Sequence, residues 1–244
     1  MTVHRERRGP DGQVLVVTLD RPERRNALDL DELDALREAV TDTVGVRALI
    51  VTGAHGHFCS GADLTSLEDA SYTVVLQDVL DHLRDAPFPT IAAVEGAALG
   101  AGTQLAVACD LRVATDDASF GIPAVKLGVL VTHWTVQRLV SLAGAGPARA
   151  MLLTGEVLSG ADARSLGIVN RQGALDEALA WADDIVPLAP LTIAGFKVML
   201  DALEPPLGGD ERVAAAFALA WGSEDLQEGL TAFRERRRPA FKGI

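Results

Sequence analysis

Two stretches of this chain place glycine and small residues directly after an apolar run: RALIVTG (47–53) leads into AHGHFCSGADL, and TIAAVEG (90–96) leads into AALGAGTQL. A strand that turns sharply into a helix leaves the first N–H groups of that helix unpaired, aimed outward with the positive end of the helix dipole. Such groups bind an anion or stabilise a developing oxyanion, and two converging turns supply the pair of donors that an oxyanion hole needs. One helical turn inside the second segment stands Gln104, a neutral amide that can hydrogen-bond but cannot take up a proton.

Other chemistries fit these residues less well. The second turn, with the helix, strand and Asp116-Asp117 that follow, mimics a dinucleotide-binding unit, but GAALGAG (96–102) is not G-x-G-x-x-G and lies in mid-chain. His55, His57 and Cys59 cluster in AHGHFCSG without a second ligand cluster, so they read as loop residues beside a turn and not as a metal site. The purely structural alternative for both turns is close packing of helix on strand. Asp63, ahead of LTSLED, likewise reads as a helix N-cap.

The elements that must position these turns alternate. VLVVTL (14–19), 47–53, 90–94 and LRVAT (111–115) read as buried strands, and Leu30, Leu33, Leu36 and Val40 mark an amphipathic helix that Asp29 can cap. This is an α/β core. Beyond Gly128 the periodicity becomes helical: 134–142, a helix with Pro147 at its first position, a short one capped by Ser159 and stopped by Gly167, then 175–186, 191–203, 212–221 and 223–236. The break LEPPLGGD (203–210) reads as a mobile connection or the start of a separate helical element. Residues 1–188 are thus taken as the core and 189–244 as a C-terminal helical region.

Lys and Arg total 22 against 34 Asp and Glu, a formal charge of -12, which argues against general binding of nucleic acid or anionic lipid. The start, MTVHRERRGPDG, has no apolar stretch after its charges, no long apolar window occurs, and Cys59 and Cys109 read as reduced, buried thiols. The expectation is a soluble, cytoplasmic protein.

Taken together, LDRPERRNAL (19–28), HFCSGADL (57–64), AVEGAALGAGTQLAVACDLRVA (93–114), SFGIPAVKLGV (119–129) and SEDLQEGLTAFRERRRPAFKG (223–243) resemble the enoyl-CoA hydratase/isomerase, or crotonase, superfamily, in family order and over nearly the whole chain. The resemblance implies a spiral of strand–strand–helix turns with C-terminal helices that assemble a homotrimer or hexamer. It implies an acyl-CoA thioester as ligand or substrate and no other cofactor. The family's oxyanion donors fall on the backbone N–H groups of Ala62 and Ala101. Its CoA contacts fall on Arg24, Arg25 and Ala27, on Gly61, Asp63 and Leu64, on Gly100 in the second turn, and on Phe241 and Lys242. Arg24 and Arg25 also read as solvated turn residues, although basic side chains suit the CoA phosphates.

One departure bears on activity. Where hydratases carry two glutamates to activate water and protonate the α-carbon, this chain has Gln104 and Ala124. A positioned acid or base is worth about 10²–10⁴ in rate, so hydration is expected to be very weak or absent while acyl-CoA binding persists. That pattern resembles non-catalytic crotonase homologues that carry acyl-CoA in lipid pathways, mycolic-acid synthesis among them, with lipid-pathway protein partners. VTHWTVQRLVSLAGAGPARAMLLTGEVL (131–158) strengthens the comparison, since bulky Thr132 to Thr135 replace a glycine-rich stretch. There Trp134 either lies against the acyl chain or anchors the next helix. His133 is either a substitute acid–base group in a still active acyl-CoA enzyme or, the weightier reading, a structural residue at a helix start.

Overall fold

The computed structural model describes residues 2–9, 11–69, 71–203 and 210–244. The charged start VHRERR forms β1 (Val3–Arg8), an edge strand antiparallel to β2 (Val14–Leu19), with only Val3 of the six side chains buried. Charges along an exposed edge discourage pairing with other chains. Strands β3 (Ala48–Gly53) and β4 (Thr90–Val94) extend the sheet in parallel, and β5 (Ala97–Leu99) leaves it at once for a second sheet. Strand β6 (Leu111–Ala114) returns to the first sheet and β7 (Ser119–Gly121) to the second, where β8 (Val157–Ser159) closes the row; β9 (Arg171–Gln172) ends the large sheet. The large sheet therefore runs β1-β2-β3-β4-β6-β9 and the small one β5-β7-β8. Single bridges Leu28–Ala62 and Cys59–Ala98 carry the second layer back to the earlier turns.

Helices fill the crossovers. In α1 (Leu30–Thr41) Asp29 accepts from the Glu32 N–H at 3.1 Å while Glu32 accepts from the Asp29 N–H at 3.4 Å, a reciprocal cap. Then come α2 (Tyr72–Asp85), α3 (Ala101–Ala108), α4 (His133–Ala143), α5 (Ala145–Thr154), α6 (Gly160–Ser165) and α7 (Leu175–Ile185), followed by α8 (Pro190–Asp201), α9 (Glu211–Trp221) and α10 (Glu224–Arg234). Leu15, Val17 and Leu49 pack toward α1, α2 and α3, whereas Val14, Val16, Ile50 and Ile91 pack against Ala178, Ala182 and Ile185 of α7. Cover on both faces is why the inner strands β2, β3 and β4 read as nearly unbroken apolar runs. Among the described residues no single helix is long and apolar enough to cross a membrane.

Several expectations need amending. Pro147 is the third residue of α5, which starts at Ala145. Asp63 caps no helix: the next element is a short 3-10 turn, Ser66–Glu68, and Thr65 holds its cap position. The sequence reading left out α2, although Tyr72, Leu76, Val79, Leu80 and Leu83 recur at helical spacing. Most of the break at 203–210 lies outside the described residues.

Candidate active site

The two glycine-rich turns meet. Cys59 N–H donates to Ala97 O at 2.8 Å and Leu99 N–H to Cys59 O at 3.0 Å, so the segments lie side by side. A Cβ built on Gly61 would stand 3.0 Å from Leu99 O and 3.9 Å from Ala101 N, and one on Gly102 would stand only 2.1 Å from Cys59 O. Gly102 is therefore required by the approach of the first turn, and Gly100, with φ of 54°, by its left-handed backbone. Thr103 Oγ1 fixes the second turn from beneath, 2.6 Å from Ala98 O and accepting from Gly121 N–H at 3.0 Å. Neither the Ala62 nor the Ala101 N–H finds an acceptor among the described residues, so both remain for a ligand oxygen.

These turns form one wall of a cavity of about 660 Å³, within the range of small-molecule sites. Its lining brings together Arg24, Arg25, Ala27, Gly61, Ala62, Asp63 and Leu64 from the segments up to the first turn, and Gly100, Ala101, Gln104 and Ala124 from the second turn and beyond. The loop before α1 is stitched to the first turn: Ser60 N–H donates to Arg25 O at 3.1 Å, Leu28 N–H to Gly61 O at 2.8 Å and Asp63 N–H to Leu28 O at 2.7 Å. Arg25 and Asn26 adopt left-handed backbones, and buried Asn26 secures them by accepting from Arg21 N–H and donating to Ala54 O and His57 O.

Arg21, which the sequence reading passed over, organises the charge here. Its guanidinium lies 3.1 Å from Asp29 Oδ2, 3.1 Å from Glu32 Oε2 and 3.3 Å from Asp63 Oδ2. Burial tends to raise the Asp29 pKa, but the hydrogen bonds with Glu32 and the Arg21 charge outweigh it and leave that carboxyl below its usual range. Burial, and then Asp29 itself, push Glu32 upward against the pull of Thr2 and Arg21. The other oxygen of Asp63 accepts from Thr65 N–H at 3.3 Å and Thr65 Oγ1 at 2.9 Å, so both oxygens of this acid are engaged.

Four expected site residues stand elsewhere. His133 begins α4 outside the cavity lining. Trp134 is buried in the core with the Arg84 guanidinium 6.0 Å from its ring centre, so it anchors α4 and does not line the cavity. Phe241 and Lys242 lie on a tail that folds onto α10: Lys242 N–H and Gly243 N–H donate to Asp225, and Ala240 N–H to Glu228. Phe233, Arg234 and Arg236 line the cavity instead. The RERRRP run offered this signal, but the sequence does not say which of its cations turn inward. Leu76 and Gln77 of α2 also reach the cavity.

Residues 10–244 match the sequence model of the enoyl-CoA hydratase/isomerase family. A probable enoyl-CoA hydratase, echA6, of Mycobacterium tuberculosis is 41% identical over 236 residues, covering 94% of this chain and 96% of the relative. Among solved structures, methylmalonyl-CoA decarboxylase in complex with 2-nitronate-propionyl-CoA superposes with a TM-score of 0.91 at 27% identity, covering 100% of this chain and 99% of that one. Carnitinyl-CoA hydratase from Mycobacterium avium gives 0.84 at 32% identity, covering 100% and 99%.

Proposed function

The chain belongs to the enoyl-CoA hydratase/isomerase family, and from that premise we propose that it binds acyl-CoA thioesters in this cavity, in fatty-acid or lipid metabolism, with very little or no hydration. The observation that carries the reading is the acid–base inventory of the wall. Among the described lining residues Asp63 is the single acid, and it is committed to Arg21 and Thr65. Gln104 and Ala124 occupy the wall without a proton to exchange. The thioester oxygen accepts from Ala62 and Ala101, while Arg24, Arg25 and Arg236 give the cavity the cations that CoA phosphates require.

Calorimetric titration with acyl-CoAs of several chain lengths, paired with an absorbance assay of crotonyl-CoA hydration, tests this. Saturable binding with turnover at least about 10²-fold below that of an ordinary hydratase is expected. Turnover at the ordinary level would overturn it in favour of an active enzyme. His133 would then be the first candidate to examine, though it must reach the cavity from outside its wall.

The same reading includes assembly into a homotrimer or hexamer. Its support is the apolar surface on the C-terminal helices, where Leu191 is 87% exposed, Val198 71% and Leu219 73%. Large apolar side chains left this exposed gain by being covered in an assembly. Light scattering after size exclusion is expected to give three or six times the chain mass; a monomer at micromolar concentration would refute the assembly.

A further inference from the structure

The acyl side of the cavity holds a directed chain of hydrogen bonds that ends on Gln104. Asp81, paired with Arg84 at 2.9 Å, can only accept, and it receives the Gln77 Nε2 hydrogen at 3.0 Å. That turns Gln77 Oε1 toward Thr132, whose hydroxyl donates to it at 3.0 Å. With the Thr132 hydrogen spent, the Thr135 hydrogen takes the shorter of its two contacts, Gln104 Oε1 at 2.9 Å in preference to Thr132 Oγ1 at 3.2 Å. Thr135 is fully buried and Gln104 nearly so, which removes water as a competing partner. The amide oxygen of Gln104 is thereby held away, and its NH2 makes no hydrogen bond among the described residues.

Gln104 lies three residues after Ala101, on the same face of α3 and about one turn, roughly 5 Å, along it. An acyl group whose carbonyl oxygen rests on the Ala101 N–H therefore brings its β-carbon toward the Gln104 amide. The polarity is the reverse of a carboxylate's, because a donor stands there and not an acceptor.

We propose that the Gln104 NH2, oriented by Gln77, Thr132 and Thr135, is a recognition group for a neutral oxygen on the β-carbon, and that the cavity selects 3-oxoacyl thioesters over saturated chains of equal length. This rests on the acyl-CoA reading above. A ketone only accepts and so matches the NH2; an alcohol also accepts, but its own hydrogen must then share an amide oxygen that already receives a threonine hydrogen. A β-carboxylate at this position would be buried beside Gln104, Gln77 and Thr132, none of which carries a charge.

Calorimetric titration of acetoacetyl-CoA, 3-hydroxybutyryl-CoA and butyryl-CoA decides the point. One neutral hydrogen bond corresponds to acetoacetyl-CoA binding about 3- to 10-fold tighter than butyryl-CoA in the wild type. In Gln104→Met the preference should vanish or reverse, because a buried ketone without a donor is penalised against a methylene. Thr135→Val, which releases Gln104 to turn its oxygen to the ligand, should also lower the ratio and serves if Gln104→Met does not fold. Equal affinities in the wild type, tighter binding of butyryl-CoA or of the 3-hydroxy compound, or a preference undiminished in both variants overturns the selection while leaving acyl-CoA binding intact. Failure of every thioester to bind overturns both.

Discussion

Restoring both carboxylates, in Gln104→Glu with Ala124→Glu, is expected to raise crotonyl-CoA hydration at least about 10²-fold over the wild-type chain. The gain rests on the proposed thioester site. The Ala62 and Ala101 N–H groups have no acceptor among the described residues, and both substituted positions line the same cavity. Thr135 already donates to the Oε1 of residue 104, so a glutamate there inherits a hydrogen bond that orients it without neutralising it. Each single substitution should gain far less than half the logarithmic effect, because one group must activate water while the other serves the α-carbon, and residues that act as a unit are strongly non-additive. The loss of enoyl absorbance measures the gain directly. Retained acyl-CoA binding without any gain would mean that water cannot reach the Cβ position past Thr132 and Thr135, and would count against the placement of the site.

What could be read from sequence follows from which residues report on their own surroundings. The parallel strands were legible because burial on both faces keeps VLVVTL and TIAAV free of charged residues and almost wholly apolar. Asp29 announced α1 because a cap and its Glu32 partner are local in sequence. The two turns were legible as glycine and small residues after a strand, and the structure supplies the reason for one of the glycines: a side chain at Gly102 would strike Cys59 O. In contrast, β1 carries five exposed side chains and so has no apolar signature, while β5, β7 and β8 are each three residues long, too short for a period to emerge. The wall contributed by Gln77, Phe233 and Arg236 comes from segments distant in sequence, and nothing local tells an inward polar residue from a solvated one. Trp134 shows the same limit from the other side. A bulky aromatic near a substrate site serves the core and the ligand equally well on paper, and only its packing with Arg84 separates them.

Arg21 is the strongest case of a residue whose weight depends on distant partners, and its loss should be correspondingly severe. In Arg21→Met the carboxylates of Asp29, Glu32 and Asp63 lose the cation within 3.1, 3.1 and 3.3 Å of them, in a site where the arginine side chain is only 16% exposed. Removing one member of a buried charge cluster costs about 3–5 kcal/mol, the expected loss in chemical unfolding at pH 7.5. The pH dependence identifies the cause. In the wild type the lowered Asp29 contributes stability that is present above its unfolded pKa and lost as pH falls through the folded one, whereas ionised Glu32, raised, carries a cost that is relieved as pH falls. Arg21 lowers both, so without it both carboxyls bind protons at higher pH, and protonation relieves the repulsion that the methionine cannot offset. The deficit of the variant should therefore shrink as pH falls from 7.5 toward the range in which these carboxyls take up protons; a deficit that stayed constant or grew there would show that Arg21 acts by packing alone. Arg21→Lys should recover only part of the loss, since a single ammonium cannot span three carboxylates as the guanidinium fork does. Because Asp63 follows Ala62 directly and is held by this fork, acyl-CoA affinity should fall in the same order, wild type above Lys above Met, measured at a pH where all three remain folded.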